Sequence, residues 1–300
     1  MNAITTTAAV AAAPSRVRLV LGLFKLRIAV LIMLTALGGM AASPGGAALS
    51  LGQVLVLALA VMGASAAAGA FNQYVEADSD RLMVRTRGRA FASGALQATP
   101  RWLAVIGVLL AASVGAAWAA LNAMAALYIF LGAFTYGVVY TLLLKRRSWT
   151  NIVFGGLAGS FAVLAGGAAV APQIGTLALL LAVVLFLWTP SHFWSLAIAN
   201  HADYAAAGVP MLPVVVGPRR AARVVHVNTV ALVAASLLPL ACGAGWAYGL
   251  MALAGGAHFL RKTHALQRDP TRGNALQSFF ASMLQLSVLL AGVAVDAALR

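Results

Sequence analysis

A short polar stretch after an apolar run holds half of the acidic residues in this chain. Three of the six acids, Glu76, Asp78 and Asp80, fall within five positions. On a helix, Asn72, Glu76 and Asp80 follow at i, i+4 and i+8 and share one face, whereas Asp78 points elsewhere. One amide and two carboxylates are hard oxygen ligands of the kind that Mg²⁺ combines with substrate phosphates. The pattern predicts a magnesium–diphosphate site; a solvated helix end with surface ion pairs is the alternative.

A second polar run lies far along the chain and carries one acid. Asp203 is the single acid between Asp80 and Asp269. Arginines follow both runs, four of them directly after Asp80. We therefore consider that the two runs hold one magnesium–diphosphate from opposite sides, while a simple helix cap is the other interpretation of Asp203.

The composition identifies the class of protein. Of 300 residues, 62% are hydrophobic and 9% are charged, which is typical of an integral membrane protein. The net charge is +14, but the basic residues sit in short loops between apolar runs, so nucleic acid is excluded as a partner. The single cysteine excludes an intrachain disulfide and a multi-cysteine metal site.

Nine apolar runs are long enough to cross a bilayer. They lie near 20–42, 51–72, 101–119, 123–144, 150–171, 175–199, 224–241, 244–260 and 275–298. We predict an all-α polytopic membrane protein, a bundle of about nine transmembrane helices forming one domain over residues 19–300. Residues 1–18 are expected to be a loosely ordered N-terminal segment. Lys25 and Arg27 are expected to snorkel to the headgroups, and the Gly166-Gly167 pair to allow close helix packing.

The basic residues predict the orientation of these spans. If nine spans are counted, 19 of the 20 Lys and Arg residues fall on one side and Arg300 alone falls on the other. The positive-inside rule then places the N-terminus and the charged loops in the cytoplasm and the C-terminus outside.

Over nearly its whole length the chain resembles the intramembrane prenyltransferases of the UbiA type. The resemblance is carried by Lys25-x-Arg27, by Asn72-Gln-x-x-x-Glu-x-x-x-Asp-x-x-Met-x-Arg-Thr-x-x-Arg89, by Tyr136 and Tyr140 with Lys145-Arg146, by Trp188-Thr-Pro-x-His-Phe-Trp194, by Asp203-Tyr204, and by Gly208-Val-Pro-Met-Leu-Pro-Val-Val215. The Arg85-Thr86 pair and the Met-Leu-Pro-Val-Val element together are similar to the branch of this family that farnesylates haem.

The resemblance implies an enzyme of the bacterial cytoplasmic (inner) membrane, with a cavity opening towards the cytoplasm. Such an enzyme uses Mg²⁺ to transfer the farnesyl group of farnesyl diphosphate to a vinyl group of protohaem IX (haem B), giving haem O on the route to haem A. Its implied partners are farnesyl diphosphate, haem B, the lipid bilayer and an enzyme that processes haem O.

The resemblance also implies roles for individual residues. Asn72, Glu76, Asp80 and Asp203 would hold Mg²⁺ and diphosphate, and the diphosphate charge would be neutralised by Arg85, Arg89, Lys145 and Arg146. Because the second motif has a single acid, the resemblance leaves open whether one or two Mg²⁺ ions bind. His192 is either a haem-binding residue or a packed one.

Two other functions are compatible with parts of the sequence. One is a related prenyltransferase whose acceptor is a quinone precursor or chlorophyllide, since the diphosphate chemistry would be the same. The other is a transporter. Transporters tend to place ionisable residues at mid-membrane on broken helices, whereas these spans are nearly free of charge, and this disfavours the transporter.

Overall fold

The computed structural model describes residues 15–299. Residues 1–14, most of the segment expected to be loosely ordered, lie outside the described residues, and so does Arg300. Every regular element within 15–299 is a helix. The first helix begins at Arg16, inside the segment 1–18, and is capped by Ser15, whose hydroxyl accepts a hydrogen bond from the Arg18 N–H at 3.3 Å.

The helices alternate between long membrane-length elements and short ones near the loops. In chain order they are α1 (Arg16–Leu23), α2 (Leu26–Ala42), a 3₁₀ turn (Gly46–Ala48), α3 (Leu51–Val75), α4 (Ala77–Arg81), α5 (Pro100–Ala120), α6 (Ala123–Phe134) continued by a π-helical segment (Thr135–Leu144), α7 (Asn151–Gly155), α8 (Leu157–Val170), α9 (Thr176–Ala199), α10 (His201–Ala206), α11 (Leu212–Val216), α12 (Pro218–Ala241), α13 (Trp246–Arg268) and α14 (Arg272–Leu299).

Local sequence explains where several long helices begin. Ser50 and Gln53 form a capping box at the start of α3. The Asn122 side chain accepts a hydrogen bond from the Ala125 N–H at 2.9 Å at the start of α6. Proline occupies the first position of α5 and of α12, where its missing N–H costs no helical hydrogen bond.

Fewer helices than expected meet the length and apolarity needed to cross a membrane. Within the described residues there are seven, or eight if α1 and α2, which are bent by 44° at Phe24–Lys25, form one span. The expected nine are not confirmed, because α13 is not among them. Its apolar part, residues 246–260, falls short of the roughly 20 residues that a bilayer core requires, and Arg261 and Lys262 follow at once.

The long helices pack as two groups that share one interface. The first group contains α2, α3, α5, α6 and α8, and the second contains α9, α12, α13 and α14. Contacts of α8 with α9 and of α2 with α14 join the groups. The polar stretch at the end of α3 and the second polar run at the end of α9 belong to different groups, so the site is assembled between them.

The α2–α8 crossing in the first group depends on glycine. A Cβ atom on Gly166 would lie 1.8 Å from the Ala36 carbonyl oxygen, and one on Gly39 would lie 2.1 Å from the Val163 carbonyl oxygen. The two backbones therefore touch directly, which confirms the prediction of close packing at Gly166.

Candidate active site

The helical face predicted for Asn72, Glu76 and Asp80 is present. Helix α3 ends at Val75, but the i→i+4 backbone bonding continues through Glu76 N to Asn72 O (3.0 Å) and Asp80 N to Glu76 O (2.8 Å). The Asn72 Nδ2 group donates to Glu76 Oε2 at 2.8 Å. All three side chains are buried, with Asp80 at 0% exposure.

Asp78 lies apart from this face, as its position in the sequence predicts. Its side chain is 90% exposed and pairs with Arg81 at 3.1 Å. An exposed i,i+3 pair of this kind contributes little to stability. Asp78 is therefore the natural control for its buried neighbours.

Lys25 corrects one prediction made from the sequence. Instead of snorkelling to the headgroups, its ammonium group turns inward and donates to Asn72 Oδ1 at 2.6 Å and to the Tyr136 hydroxyl at 3.2 Å. The inward turn is made at the bend between α1 and α2, where Lys25 has a left-handed backbone with φ of 48°. Arg27, two residues later, is exposed as expected.

A π-helical segment brings the next cation into the cluster. Between Thr135 and Leu144 the backbone bonds reach five residues back, and Lys145 N donates to Tyr140 O at 2.8 Å in the same way. The wider turn places the Lys145 ammonium against Glu76 Oε2, with which it forms a buried ion pair. The hydroxyl of Thr141 accepts a hydrogen bond from Asn72 Nδ2 at 3.1 Å. Such π-helical turns occur frequently at functional sites.

Asp80 has one oxygen bonded and one available. Arg89 Nη1 lies 2.7 Å from Asp80 Oδ2. The second oxygen, Oδ1, is buried and has no hydrogen-bond partner among the described residues. An unpartnered buried carboxylate oxygen is costly unless a ligand completes it, and it suits a hard cation.

These residues fit Mg²⁺ only together with a phosphate-bearing substrate. Within residues 15–299 no three His, Cys, Asp or Glu side chains gather closely enough to hold a metal by themselves. Mg²⁺ commonly binds through one or two carboxylates and completes its shell with water and substrate phosphates. Asp80 Oδ1 is one carboxylate oxygen that could take this role, and Glu76, which is paired with Lys145, is a second carboxylate on the same helical face.

The second polar run meets the first at Asp203. The Arg85 backbone N–H donates to Asp203 Oδ2 at 3.4 Å, and the Arg85 guanidinium approaches the Tyr204 hydroxyl at 3.5 Å. Asp203 is half-buried and Arg85 is exposed. The two motifs, 118 residues apart in sequence, thus come together at one end of the bundle.

Arg146 stands outside the cluster. It is exposed and, within the described part of the chain, it forms neither a hydrogen bond nor an ion pair with the other site residues. Of the four cations assigned to the diphosphate, only Arg89 and Lys145 contact the acids of the first motif.

His192 lies on α9, about two turns before that helix ends at Ala199. It is buried, stacks between the rings of Trp188 and Phe279, and its Nδ1 lies 2.7 Å from the Ser282 hydroxyl. These contacts place His192 in a packed aromatic setting and leave its haem role a prediction.

Three contributors to the site had no site role assigned from the sequence. Lys25 was expected at the headgroups, Tyr136 was quoted only for the family resemblance, and Thr141 was not named. Lys25 carried a usable signal, because an ionisable residue inside an apolar span is by default a functional candidate. Thr141 carried none, since a lone threonine in an apolar helix is unremarkable.

Known proteins match this chain over most of its length. The family model of the UbiA prenyltransferase family matches residues 32–286. Protoheme IX farnesyltransferase 2 of Paramagnetospirillum magneticum is 52% identical over 283 residues, covering 94% of this chain and 98% of the relative. Protoheme IX farnesyltransferase 1 of the same organism is 50% identical over 278 residues, covering 91% and 96%.

Solved structures share the fold at low sequence identity. A digeranylgeranylglyceryl phosphate synthase superposes with a TM-score of 0.78 at 16% identity, covering 95% of this chain and 99% of that one. A UbiA homologue from Archaeoglobus fulgidus bound to DMAPP and Mg²⁺ superposes with a TM-score of 0.70 at 16% identity, covering 90% and 98%. At this identity the likeness concerns the helical architecture alone.

Proposed function

Because this chain belongs to the UbiA prenyltransferase family, we propose that it transfers the farnesyl group of farnesyl diphosphate to a vinyl group of protohaem IX and so makes haem O. The observation that carries the proposal is the 52% and 50% identity, over more than nine-tenths of the chain, to relatives named protoheme IX farnesyltransferase. Membership of a prenyltransferase family also sets aside the transporter.

The chemistry begins at the carbon–oxygen bond of the allylic diphosphate. When this bond breaks, the terminal carbon of the haem vinyl group attacks the allylic cation. Water then adds its oxygen to the inner vinyl carbon and loses a proton, which leaves a hydroxyethylfarnesyl side chain and free diphosphate. The protein must therefore stabilise the departing diphosphate and keep water from the cation until carbon has attacked it.

The residues of the site are suited to the first task. Lys145 and Arg89 are held beside the acids by their ion pairs with Glu76 and Asp80, so their charges are preorganised where a diphosphate would bind. Lys25 adds a third cation at Asn72. Arg85 and Arg146 are exposed near the same end of the bundle. We assign them to the arriving diphosphate.

Mg²⁺ is part of the proposal. When bound, it would neutralise diphosphate charge in the ground state and as that charge grows during ionisation. Asp80 and Glu76 would hold it, with the Asn72 amide beside them and Asp203 closing the site from the second motif. A UbiA homologue of the same fold, from A. fulgidus, was solved bound to DMAPP and Mg²⁺, and this supports the use of the metal.

We place the enzyme in a bacterial cytoplasmic membrane with the site facing the cytoplasm. The distribution of basic residues supports this side, because Arg85, Arg89, Lys145 and Arg146 belong to the loops that the positive-inside rule assigns to the cytoplasm. We propose that residues 19–300 form one catalytic domain. The expected recipient of the product is an enzyme that processes haem O.

The decisive experiment uses a bacterial host that lacks its own haem O synthase. Expression of this chain should restore haem O among the extracted haems, and an Asp80→Asn chain at the same membrane level should not. Membranes are also incubated with farnesyl diphosphate and either haem B or 4-hydroxybenzoate. Farnesylation of the benzoate alone would identify a related prenyltransferase with a quinone precursor as acceptor and would overturn the proposal.

A further inference from the structure

A polar contact inside the membrane joins α9 to α14 at His192. The imidazole is 8% exposed and lies parallel to the rings of Trp188 (4.2 Å, 18°) and Phe279 (4.4 Å, 29°). The Phe193 ring meets it edge-on at 5.0 Å and 88°. Both faces of the imidazole are therefore covered, and only the in-plane edges that carry the nitrogens can meet a ligand.

Ser282 on α14 contacts this stack through two of its groups. Its hydroxyl lies 2.7 Å from His192 Nδ1, and its backbone carbonyl accepts a hydrogen bond from the Trp188 indole N–H at 2.8 Å. Trp188 and His192 are one turn apart on α9, so a single residue of α14 orients both rings.

The Ser282 hydroxyl already donates its proton to a backbone carbonyl. This hydroxyl lies 2.6 Å from the Phe279 carbonyl oxygen. Two oxygen atoms at that separation repel unless a proton lies between them, and a carbonyl oxygen has none to give. The hydroxyl therefore donates to Phe279 O, and its lone pair must accept from His192.

The two contacts of the Ser282 hydroxyl determine which tautomer of His192 is present. In the neutral ring one nitrogen carries a proton and the other a lone pair. Because Ser282 Oγ accepts, Nδ1 carries the proton and Nε2 the lone pair. Within the described residues Nε2 has no hydrogen-bond partner. A neutral imidazole with Nδ1–H held by an oxygen atom is the form in which histidine most often binds a metal through Nε2.

We infer that Ser282 is a positioning residue that keeps Nε2 of His192 unprotonated, so that His192 presents a lone pair to the iron of the porphyrin acceptor. The inference rests on the proposed function for the identity of that acceptor. His192 lies about 10 Å along α9 from Ala199, at roughly 1.5 Å per residue. An iron atom bound by His192 would therefore lie about two helical turns away from the diphosphate site at the end of α9.

The structure offers a closely matched control for Ser282. Ser278 lies one turn earlier on α14, is fully buried like Ser282, and also makes a hydroxyl contact to α9, with the Ser195 hydroxyl at 2.8 Å. Ser278→Ala therefore removes a buried α9–α14 hydrogen bond of the same kind without touching His192. Ser282→Ala keeps the backbone carbonyl that holds Trp188, so the stack retains that support.

The test is a titration of purified protein in detergent with haem B alone, followed in the Soret region and by electron paramagnetic resonance. The unmodified chain should give an imidazole-ligated spectrum that His192→Ala loses and added imidazole restores. Ser282→Ala should weaken haem binding about 10-fold or more, as loss of a partner behind a ligand does. Ser282→Thr, which keeps the hydroxyl, should recover most of it, and Ser278→Ala should stay within about twofold of the unmodified chain.

A second measurement reads the tautomer without haem. In ¹⁵N-histidine-labelled protein, the resonance assigned through His192→Ala should show a protonated Nδ1 and an unprotonated Nε2, and Ser282→Ala should change this pattern. An unchanged haem spectrum in His192→Ala, or equal haem affinities in Ser282→Ala and Ser278→Ala, would overturn the inference. Haem ligated by His192 in a protein that makes no haem O would instead overturn the proposed function and leave the tautomer assignment intact.

Discussion

The ammonium group of Lys25 lies 2.6 Å from the Oδ1 atom of Asn72, 47 residues further along the chain. A cation donates and never accepts, so this contact fixes which end of the Asn72 amide is oxygen. The Nδ2 group then points at Glu76 and Thr141, to which it donates at 2.8 and 3.1 Å. Lys25 thus orients the first residue of the predicted metal-binding face.

Replacing Lys25 with methionine should impair the diphosphate site without unfolding the protein. Methionine keeps an unbranched apolar chain of similar length but leaves Asn72 Oδ1 without its charged donor. A hydrogen bond to a charged group contributes about 1.5–3 kcal/mol, which corresponds to roughly a 10- to 100-fold loss in kcat/KM. Initial rates at varied farnesyl diphosphate measure the loss.

Arg27→Met is the matched control for Lys25→Met. It removes a basic residue from the same helix, but Arg27 is exposed, so activity should be nearly unchanged. If both variants lost activity equally, the contribution of Lys25 would be its charge at the membrane surface and not its contact with Asn72.

Asp80 and Asp78 make a second contrasting pair. Asp80→Ala should abolish Mg²⁺-dependent turnover, with a fall of at least about 100-fold in kcat, because it removes the unpartnered oxygen and the partner of Arg89 together. Asp78→Ala should be mild, since that side chain is 90% exposed. The assay is haem O formation against Mg²⁺ concentration in membranes with equal protein levels. Greater damage from Asp78→Ala would contradict the assignment of the buried face.

The parts of this site that were predictable follow from local periodicity. Asn72, Glu76 and Asp80 share a face because helical spacing alone aligns them, and the backbone bonding carries that spacing past the end of α3. Asp78 is excluded from that face because, two residues after Glu76, it points to another side of the helix. No tertiary information was needed for either statement.

The contacts that were not predictable depend on tertiary geometry. The direction of Lys25 depends on a left-handed residue at a helix bend, a conformation that a lysine rarely adopts. The ion pair of Lys145 with Glu76 joins residues 69 apart and requires the wider turns of the π-helical segment. Periodicity rules assume a regular α-helix, so they cannot place a side chain beyond such a segment.

The glycine crossing of α2 and α8 predicts a stability difference between two identical substitutions. Gly166→Ala forces a methyl group to within 1.8 Å of the Ala36 carbonyl oxygen, and overpacking of this kind costs about 1–3 kcal/mol or more. Gly107→Ala, on α5, meets nothing within 4 Å and gains helix propensity. Thermal unfolding in detergent should show a midpoint several degrees lower for Gly166→Ala and unchanged or slightly raised for Gly107→Ala. Equal midpoints would mean that the helices separate at no cost.

The number of spans turns on whether α13 crosses the membrane, and reporter fusions around it decide the matter. The loop before α13, at Gly243, has no basic residues nearby, whereas Arg268 and Arg272 flank the loop after it, at Thr271. If α13 spans, the positive-inside rule places Gly243 outside and Thr271 in the cytoplasm, together with Arg87 and Arg219. A fusion at residue 300 should then report an outside C-terminus. Reporters at Gly243 and Thr271 on the same side would show that α13 does not cross the membrane, and a cytoplasmic C-terminus would contradict the count of nine spans.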